Sequence, residues 1–273
     1  SRRELTSADI APDVVEWVWR GGYPREYACG IDPRDFFPSY RQTYVNRDVR
    51  GEEGVAKIAE FETFLTVCAS RVGDLLDITS VAKAVGVSVN TAKSWISILE
   101  SSFVAFRLRP HHNNFEKRLV KSPKLYFWDT GLVCDLLGIE SPNELRTYRK
   151  YGNVFENAVV AEVGKRAYSS GRVPRWSFWR DSNGNEVNLL LERGVDVDVA
   201  MEVKSTSTFT PRSADGLAKF ADEAAHIGRG RCVLAYNGTD RVTSGGIRFS
   251  PIDDLDRAIE LARADAQGWG EVR

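Results

Sequence analysis

Glu186-Val187-Asn188-Leu189-Leu190-Leu191, followed by Val197-Asp198-Val199-Ala200-Met201-Glu202-Val203-Lys204, is the most informative stretch of this chain. Both runs are short and largely aliphatic, which predicts buried strands over 187–191 and 197–203. Side chains two apart on a strand share a face, so Glu202 and Lys204 point the same way. Upstream, 175–180 with Trp176, Phe178 and Trp179 reads as a strand, and 155–168 as a helix before it. Downstream, Leu217, Phe220, Ala221, Ala224 and Ala225 space a helix over 217–227; a strand over 231–236 and a helix over 253–263 follow. The order is α-β-β-β-α-β with a trailing helix, a compact α/β layout assigned to residues 151–273.

The preceding segment, 51–150, has a different texture. Phe61, Phe64, Leu65, Cys68 and Ala69 keep the spacing of an amphipathic helix. Thr79 is placed as the N-cap of a short helix with Val81, Ala82 and Val85 on its apolar side. Gly86-Val87 makes a turn, and Ser88 caps a second helix carrying Val89, Ala92, Trp95, Ile96 and Leu99 inward. Two short helices joined by a Gly-containing turn predict a helix-turn-helix. Two β-rich stretches, 103–109 and 124–128, flank a basic loop, so a hairpin there would form a wing. Residues 1–50, with many aromatics, the break Arg20-Gly21-Gly22-Tyr23-Pro24 and a helix over 39–49, read as a helical arm too small for its own core.

The 273 residues suggest about two domains, and 42% hydrophobic content is enough to build cores. Net charge is −1, so any affinity for nucleic acid must rest on local patches. The four cysteines, Cys29, Cys68, Cys134 and Cys232, are far apart and without a CxxC pair, which speaks against a disulfide framework or a structural zinc site. Apolar runs are too short for a transmembrane helix, and no signal peptide is visible, so a cytoplasmic location without membrane contact is expected.

A site that activates water against a phosphodiester needs a hard divalent cation held by oxygen ligands, and a cationic group near the developing charge. Glu202 supplies a candidate metal ligand and Lys204 the cation. Glu156, on the helix that opens the domain, adds a carboxylate as a ligand or behind one. Asn188, on the neighbouring strand, can ligate through its amide oxygen but brings no negative charge, which weakens an Mg²⁺ site. The bland alternative is that Glu-X-Lys is a solvated strand edge.

This order, with a ligand position on the second strand and Glu-X-Lys on the third, resembles the PD-(D/E)XK nuclease (restriction endonuclease-like) superfamily. More closely, the chain resembles the C-terminal region of a prokaryotic group of uncharacterised AAA-type ATPases. The similarity runs through Gly21-Gly22-Tyr23-Pro24, Tyr44 with Arg47-Asp48-Val49, Gly86-Val87-Ser88, Thr91 to Trp95, Lys117-Arg118, Lys121-Ser122-Pro123-Lys124, and Tyr126 to Leu132. It continues through Gly152, Phe155-Glu156-Asn157, Phe178-Trp179-Arg180-Asp181, Glu186-Val187 and Glu202-Val203-Lys204. The resemblance implies an α+β or α/β chain in which a winged helix-turn-helix precedes a nuclease-like αβββαβ domain. Two departures stand out. The family pattern has Asp where this chain has Asn188. No G-x-x-x-x-G-K-[ST] occurs, so ATP is expected only in an ATPase domain outside this chain, itself an expected partner. The opening resembles the stretch after such an ATPase core, and its abruptness favours a fragment over a protein that lost that half.

If the helix-turn-helix binds DNA, its second helix enters the major groove with Asn90, Thr91, Lys93, Ser94 and Ser97 outward. The wing region carries Arg107, Arg109, Lys117, Arg118, Lys121 and Lys124 against Glu116, enough to neutralise several phosphates. His111 and His112 are adjacent on a strand and form a poor metal pair; His226 stands alone. Asp129 and Asp181 follow aromatic strands, where capping is the plain role, and Asp181 is also a substitute carboxylate for the site. Three readings follow. The leading one is a module that binds nucleic acid or positions a partner for the motor, with a degenerate nuclease-like domain. The rivals are an Mg²⁺-dependent DNA endonuclease and a protein-interaction platform, alone or as a homo-oligomer.

Overall fold

The computed structural model describes residues 13–45, 58–111, 122–181, 183–194, 196–224 and 227–265. The chain is a mixed α and β protein that divides into two compact units. The first comprises residues 1–107 and 122–162, and the second 108–121 and 163–273.

The first unit is mainly helical. Helices α1 (Val14–Arg20), α2 (Pro24–Cys29) and α3 (Pro33–Tyr44) fill the described part of the aromatic N-terminal segment. Asp13 caps α1 by accepting from the Val15 and Glu16 amides, and Asp32 caps α3 through the Arg34 amide. Proline at the first turn starts α2 and α3, where its missing N–H costs nothing. The end of the helix expected over 39–49 lies outside the described residues beyond Val45.

Helices α4 (Ile58–Ala69), α5 (Ile78–Val85) and α6 (Val89–Ser101) follow. Their cap residues correct one expectation. Asp77, not Thr79, is the N-cap of α5, and its carboxylate accepts from the Thr79 and Ser80 amides. Gly86 closes α5 in the left-handed conformation at φ 81°, which glycine adopts without a Cβ penalty. Ser88 caps α6 through the Thr91 amide, as its position predicts. Phe61 and Phe64 of α4 pack edge-on against Trp95 of α6, both at 5.3 Å between ring centroids. Strands β1 (Ala105–Leu108) and β2 (Lys124–Phe127) pair with each other. Two short helices not foreseen in the sequence follow, α7 (Thr130–Leu136) and α8 (Pro142–Thr147). Helix α9 (Tyr151–Ser169) belongs to this unit up to Glu162.

The second unit is built on a six-stranded sheet in the order β3-β4-β5-β6-β8-β7. These are β3 (Trp176–Arg180), β4 (Glu186–Arg193), β5 (Asp196–Lys204), β6 (Cys232–Tyr236), β7 (Val242–Ser244) and β8 (Ile247–Pro251). β3, β4 and β5 run antiparallel; β5, β6 and β8 run parallel; β7 is antiparallel to β8. The first four match the predicted strands, whereas β7 and β8 were not foreseen. They are joined by Gly245-Gly246, both at positive φ, the requirement of a tight two-residue hairpin turn. Helix α10 (Asp215–Lys219) continues as a π turn over Phe220–Ala224, and α11 (Leu255–Asp265) ends the unit. Leu190, Ala200, Leu217, Phe220, Leu234 and Phe249 form part of one buried cluster around the sheet.

Residues 109–111 line the outer edge of β3. The Phe178 amide donates to the Arg109 carbonyl at 3.0 Å, and the His111 amide donates to the Phe178 carbonyl at 2.6 Å. Protecting an edge in this way removes a template for unwanted pairing. Among the described residues, no helix is long and apolar enough to cross a membrane.

Candidate functional site

In the second unit the sheet brings Asn188, Glu202 and Lys204 together. Leu189 pairs with Met201 across β4 and β5, so Asn188 and Glu202 lie one step further along the same two strands. Asn188 is buried, and its Oδ1 accepts from the Val203 backbone N–H at 2.8 Å. Its Nδ2 donates to Glu186 Oε1 at 3.4 Å. The side chain thus does the work of a sheet hydrogen bond. Glu202 is also buried, and its Oε1 accepts from Lys204 Nζ at 2.7 Å. The lysine is the exposed member of this pair, with 40% of its side chain accessible against 12% for the glutamate. Glu186 has its own cation, with Oε2 at 3.3 Å from Arg180 Nη1. In the sequence Arg180 has a place in the family similarity but no role, because that role depends on the β3–β4 pairing of Arg180 with Glu186.

This arrangement does not fit a divalent cation. Asn188 brings no negative charge and its oxygen already accepts from the Val203 N–H, while one oxygen of Glu202 accepts from Lys204. Among the described residues, no group of three or more His, Cys, Asp or Glu side chains is placed to hold a metal. Hard cations want several oxygen ligands, so we derive no metal-dependent step here. Asp181 does not stand in for the missing carboxylate. Its oxygens accept from the Asn183 and Asn185 amides and from Asn185 Nδ2, which shapes the β3–β4 turn.

Glu156 belongs to the first unit. Its Oε1 accepts from Lys124 Nζ at 2.9 Å and from the Tyr126 hydroxyl at 2.5 Å. Lys124 therefore departs from the expected phosphate-contacting role: it is 2% exposed and its ammonium sits on a carboxylate. Its position in a basic run disguised a buried ion pair. Next to it, Asn157 spends its whole amide on Phe127, accepting from the backbone N–H at 2.7 Å and donating to the carbonyl at 2.9 Å. Asp129 plays the capping role read from its position. It accepts from the Gly131 and Leu132 amides at the start of α7, and also from the Gly22 amide at 2.8 Å. A Cβ on Gly21 would collide with that carboxylate, which accounts for glycine there.

On α6, Asn90, Lys93, Ser94 and Ser97 are exposed, and Thr91 is half-buried with its hydroxyl 2.8 Å from that of Ser88. Trp95, Ile96, Ile98 and Leu99 face the core. Arg107 is held by Glu100 through two hydrogen bonds, at 2.9 and 2.5 Å, while Arg109 is exposed. Lys117, Arg118 and Lys121, like Glu116, His112 and His226, lie outside the described residues. In the second unit His111 Nδ1 lies 2.8 Å from Glu192 Oε1, and the Ser177 hydroxyl bonds to the same oxygen. No signal in the sequence marked this cluster, whose members come from separate segments.

Comparison with known proteins gives families but no activity. Residues 11–143 match the family described as a domain of unknown function, DUF8612, and residues 151–255 match another domain of unknown function, DUF4143. The chain is 28% identical over 207 residues to the uncharacterised protein Rv2008c of Mycobacterium tuberculosis. The same figures hold for the uncharacterised protein Mb2031c of Mycobacterium bovis. Each alignment covers 75% of this chain and 46% of the relative, so the chain spans about half the length of the curated relatives it matches. No solved structure matches. The chain is thus similar to domains of unknown function and to uncharacterised mycobacterial proteins of greater length.

Proposed function

We propose that this chain is the C-terminal part of an AAA-type ATPase, serving as a nucleic-acid-binding module with a catalytically silent nuclease-like unit. The observation that carries the binding part is the split surface of α6. Its polar residues Asn90, Lys93, Ser94 and Ser97 face solvent while Trp95, Ile96, Ile98 and Leu99 anchor it. With α5, the Gly86 turn and the paired strands β1 and β2, this layout is consistent with a winged helix-turn-helix presenting α6 to a groove. The sequence after His111 carries Lys117, Arg118 and Lys121, cations suited to phosphates. Silence of the nuclease-like unit is supported by Asn188, which brings no negative charge where the nuclease-like pattern has Asp, and by the lack, among the described residues, of three or more ligand side chains grouped to hold a metal.

Fluorescence anisotropy with duplex and branched DNA tests the proposal. Raising salt from about 50 to about 200 mM should weaken binding steeply, because counterions are released on association. Replacing Lys93 by Glu, on the exposed face, should weaken binding further without unfolding the protein. Absence of salt-sensitive binding at micromolar protein would sink the proposal. The Arg107–Glu100 and Lys124–Glu156 pairs reduce the cationic surface and favour a second reading, a docking surface for a protein partner. Retention of a protein partner with no nucleic acid would select it.

A further inference from the structure

A cavity of about 230 Å³ lies within the first unit, where the end of α1, the start of α3, and α7 with the loop after it meet. Pockets for drug-sized molecules run to roughly 300–1,000 Å³, so this one suits a group the size of a single side chain. Trp19, Phe37 and Pro38 contribute apolar lining. The Trp19 indole is held in place, its Nε1 donating to the Ile139 carbonyl at 2.9 Å.

The polar lining has an uneven charge. Asp135 and Glu140 are acids, and Arg34 is the lining cation. Arg34 is already neutralised by Asp32, through bonds of 2.9 and 2.6 Å. Asp135 is different. Its Oδ2 is buried without a hydrogen-bond partner, and the guanidinium of Arg41 stands 3.7 Å away, beyond hydrogen-bond reach. Burial raises the Asp135 carboxyl above its ordinary range, and Arg41 only partly opposes that rise. A carboxylate with one oxygen buried and without a donor is costly, and positive charge in the cavity that Asp135 lines would offset that cost. Guanidinium fits this lining better than ammonium, because it is planar, weakly hydrated and packs well on aromatic surface.

We propose that this cavity binds a guanidinium group, with Asp135 as its acceptor and Trp19 and Phe37 as its apolar wall. The group comes either from a free alkylguanidine or from an arginine side chain of a polypeptide. Neither the nucleic-acid reading nor the silent nuclease-like unit bears on it.

The test is an NMR titration of the whole chain, following the Trp19 indole N–H. The probes are n-butylguanidinium, its neutral counterpart n-butylurea, and the capped peptide acetyl-Gly-Arg-Gly-amide. A fragment of this size should bind with millimolar affinity. Saturable shifts are expected with n-butylguanidinium, and at least about tenfold weaker binding with the urea, since a charge-assisted bond is lost. Asp135→Asn should weaken n-butylguanidinium by a similar factor. If that variant fails to fold, the guanidinium-against-urea comparison on the unaltered protein decides alone. Tighter binding of the peptide identifies an arginine side chain as the source; equal or weaker binding identifies a free alkylguanidine. Equal affinity for guanidinium and urea, or no saturable shift of Trp19, overturns the proposal.

Discussion

The two units each hold a buried asparagine that bonds to backbone, with a Glu–Lys pair beside it, and the two constellations differ in how far they are closed to water. In the first unit Asn157 is 0% exposed and bonds to both the N–H and the carbonyl of Phe127. The adjoining Glu156 meets a lysine whose side chain is only 3% exposed. In the second unit Asn188 satisfies one backbone group, and Glu202 meets a lysine whose side chain is 40% exposed. The same residue types therefore do different work. The first constellation is internal scaffolding, in which each member depends on the others. The second sits where the sheet reaches solvent, with its charge balanced across one exposed arm.

Removing Lys124 should produce the largest effect. A buried pair broken on one side leaves a desolvated charge, at a cost of about 3–5 kcal/mol. Lys124→Ala leaves Glu156 with the Tyr126 hydroxyl as a partner, which does not replace a cation. Urea unfolding of the variant should show a strongly lowered midpoint; a midpoint near that of the parent would mean that the first constellation is as open as the second.

Asn157→Asp comes next, at about 2–4 kcal/mol. The substitution turns the donor facing the Phe127 carbonyl into an acceptor and places a charge where there is no water. The deficit should shrink on acidification. The native state favours the protonated carboxyl, which can donate again, so its pKa is raised there; the stability that protonation confers is present below about pH 3.9 and is lost as pH rises through the native value. A deficit that is flat with pH would show that the charge finds water or a cation.

Asn188→Asp sharpens the contrast. The new carboxylate can still accept from the Val203 amide, so only the weaker donation to Glu186 is lost, and a charge is added near Glu186 and Glu202. The expected cost is about 1–2 kcal/mol. It also restores the acid that the nuclease-like pattern lacks. With Mg²⁺ or Mn²⁺ neither the parent nor this variant should cut DNA, because Glu186 and Glu202 beside it remain paired with Arg180 and Lys204. Cleavage by the variant alone would mark a decayed nuclease that one residue revives, and cleavage by both would end the silent-unit reading.

The contrast also shows where sequence reading runs out. Strands β3 to β6 were legible because their apolar runs are strand-length, α6 because its cap and apolar spacing coincide, and α5 by its apolar spacing and closing glycine, its cap being two residues earlier than expected. The short helices α1, α2, α7 and α8 were not, since at six or seven residues they give too little periodicity. β7 and β8 were hidden by their brevity around Gly245-Gly246. Within the site, the shared face of Glu202 and Lys204 followed from strand geometry. The closure of Lys124 on Glu156 did not, because the partners are 32 residues apart and a lysine in a basic run carries no mark of burial.

Lys204→Ala should have the smallest effect, and it tests the comparison from its other end. Lys204 is 40% exposed on its side chain, so its ion pair with Glu202 is screened and pays entropy to hold a flexible arm in place. Such pairs are worth about 0–1 kcal/mol. The lysines carry the difference, since the two glutamates are alike in exposure, 14% at Glu156 and 12% at Glu202. The same substitution at Lys124 should therefore cost several times more, although both lysines sit within 3 Å of a glutamate oxygen. Comparable losses from the two variants would mean that distance rather than burial sets the value of these pairs, and the division between a closed and an open constellation would fall.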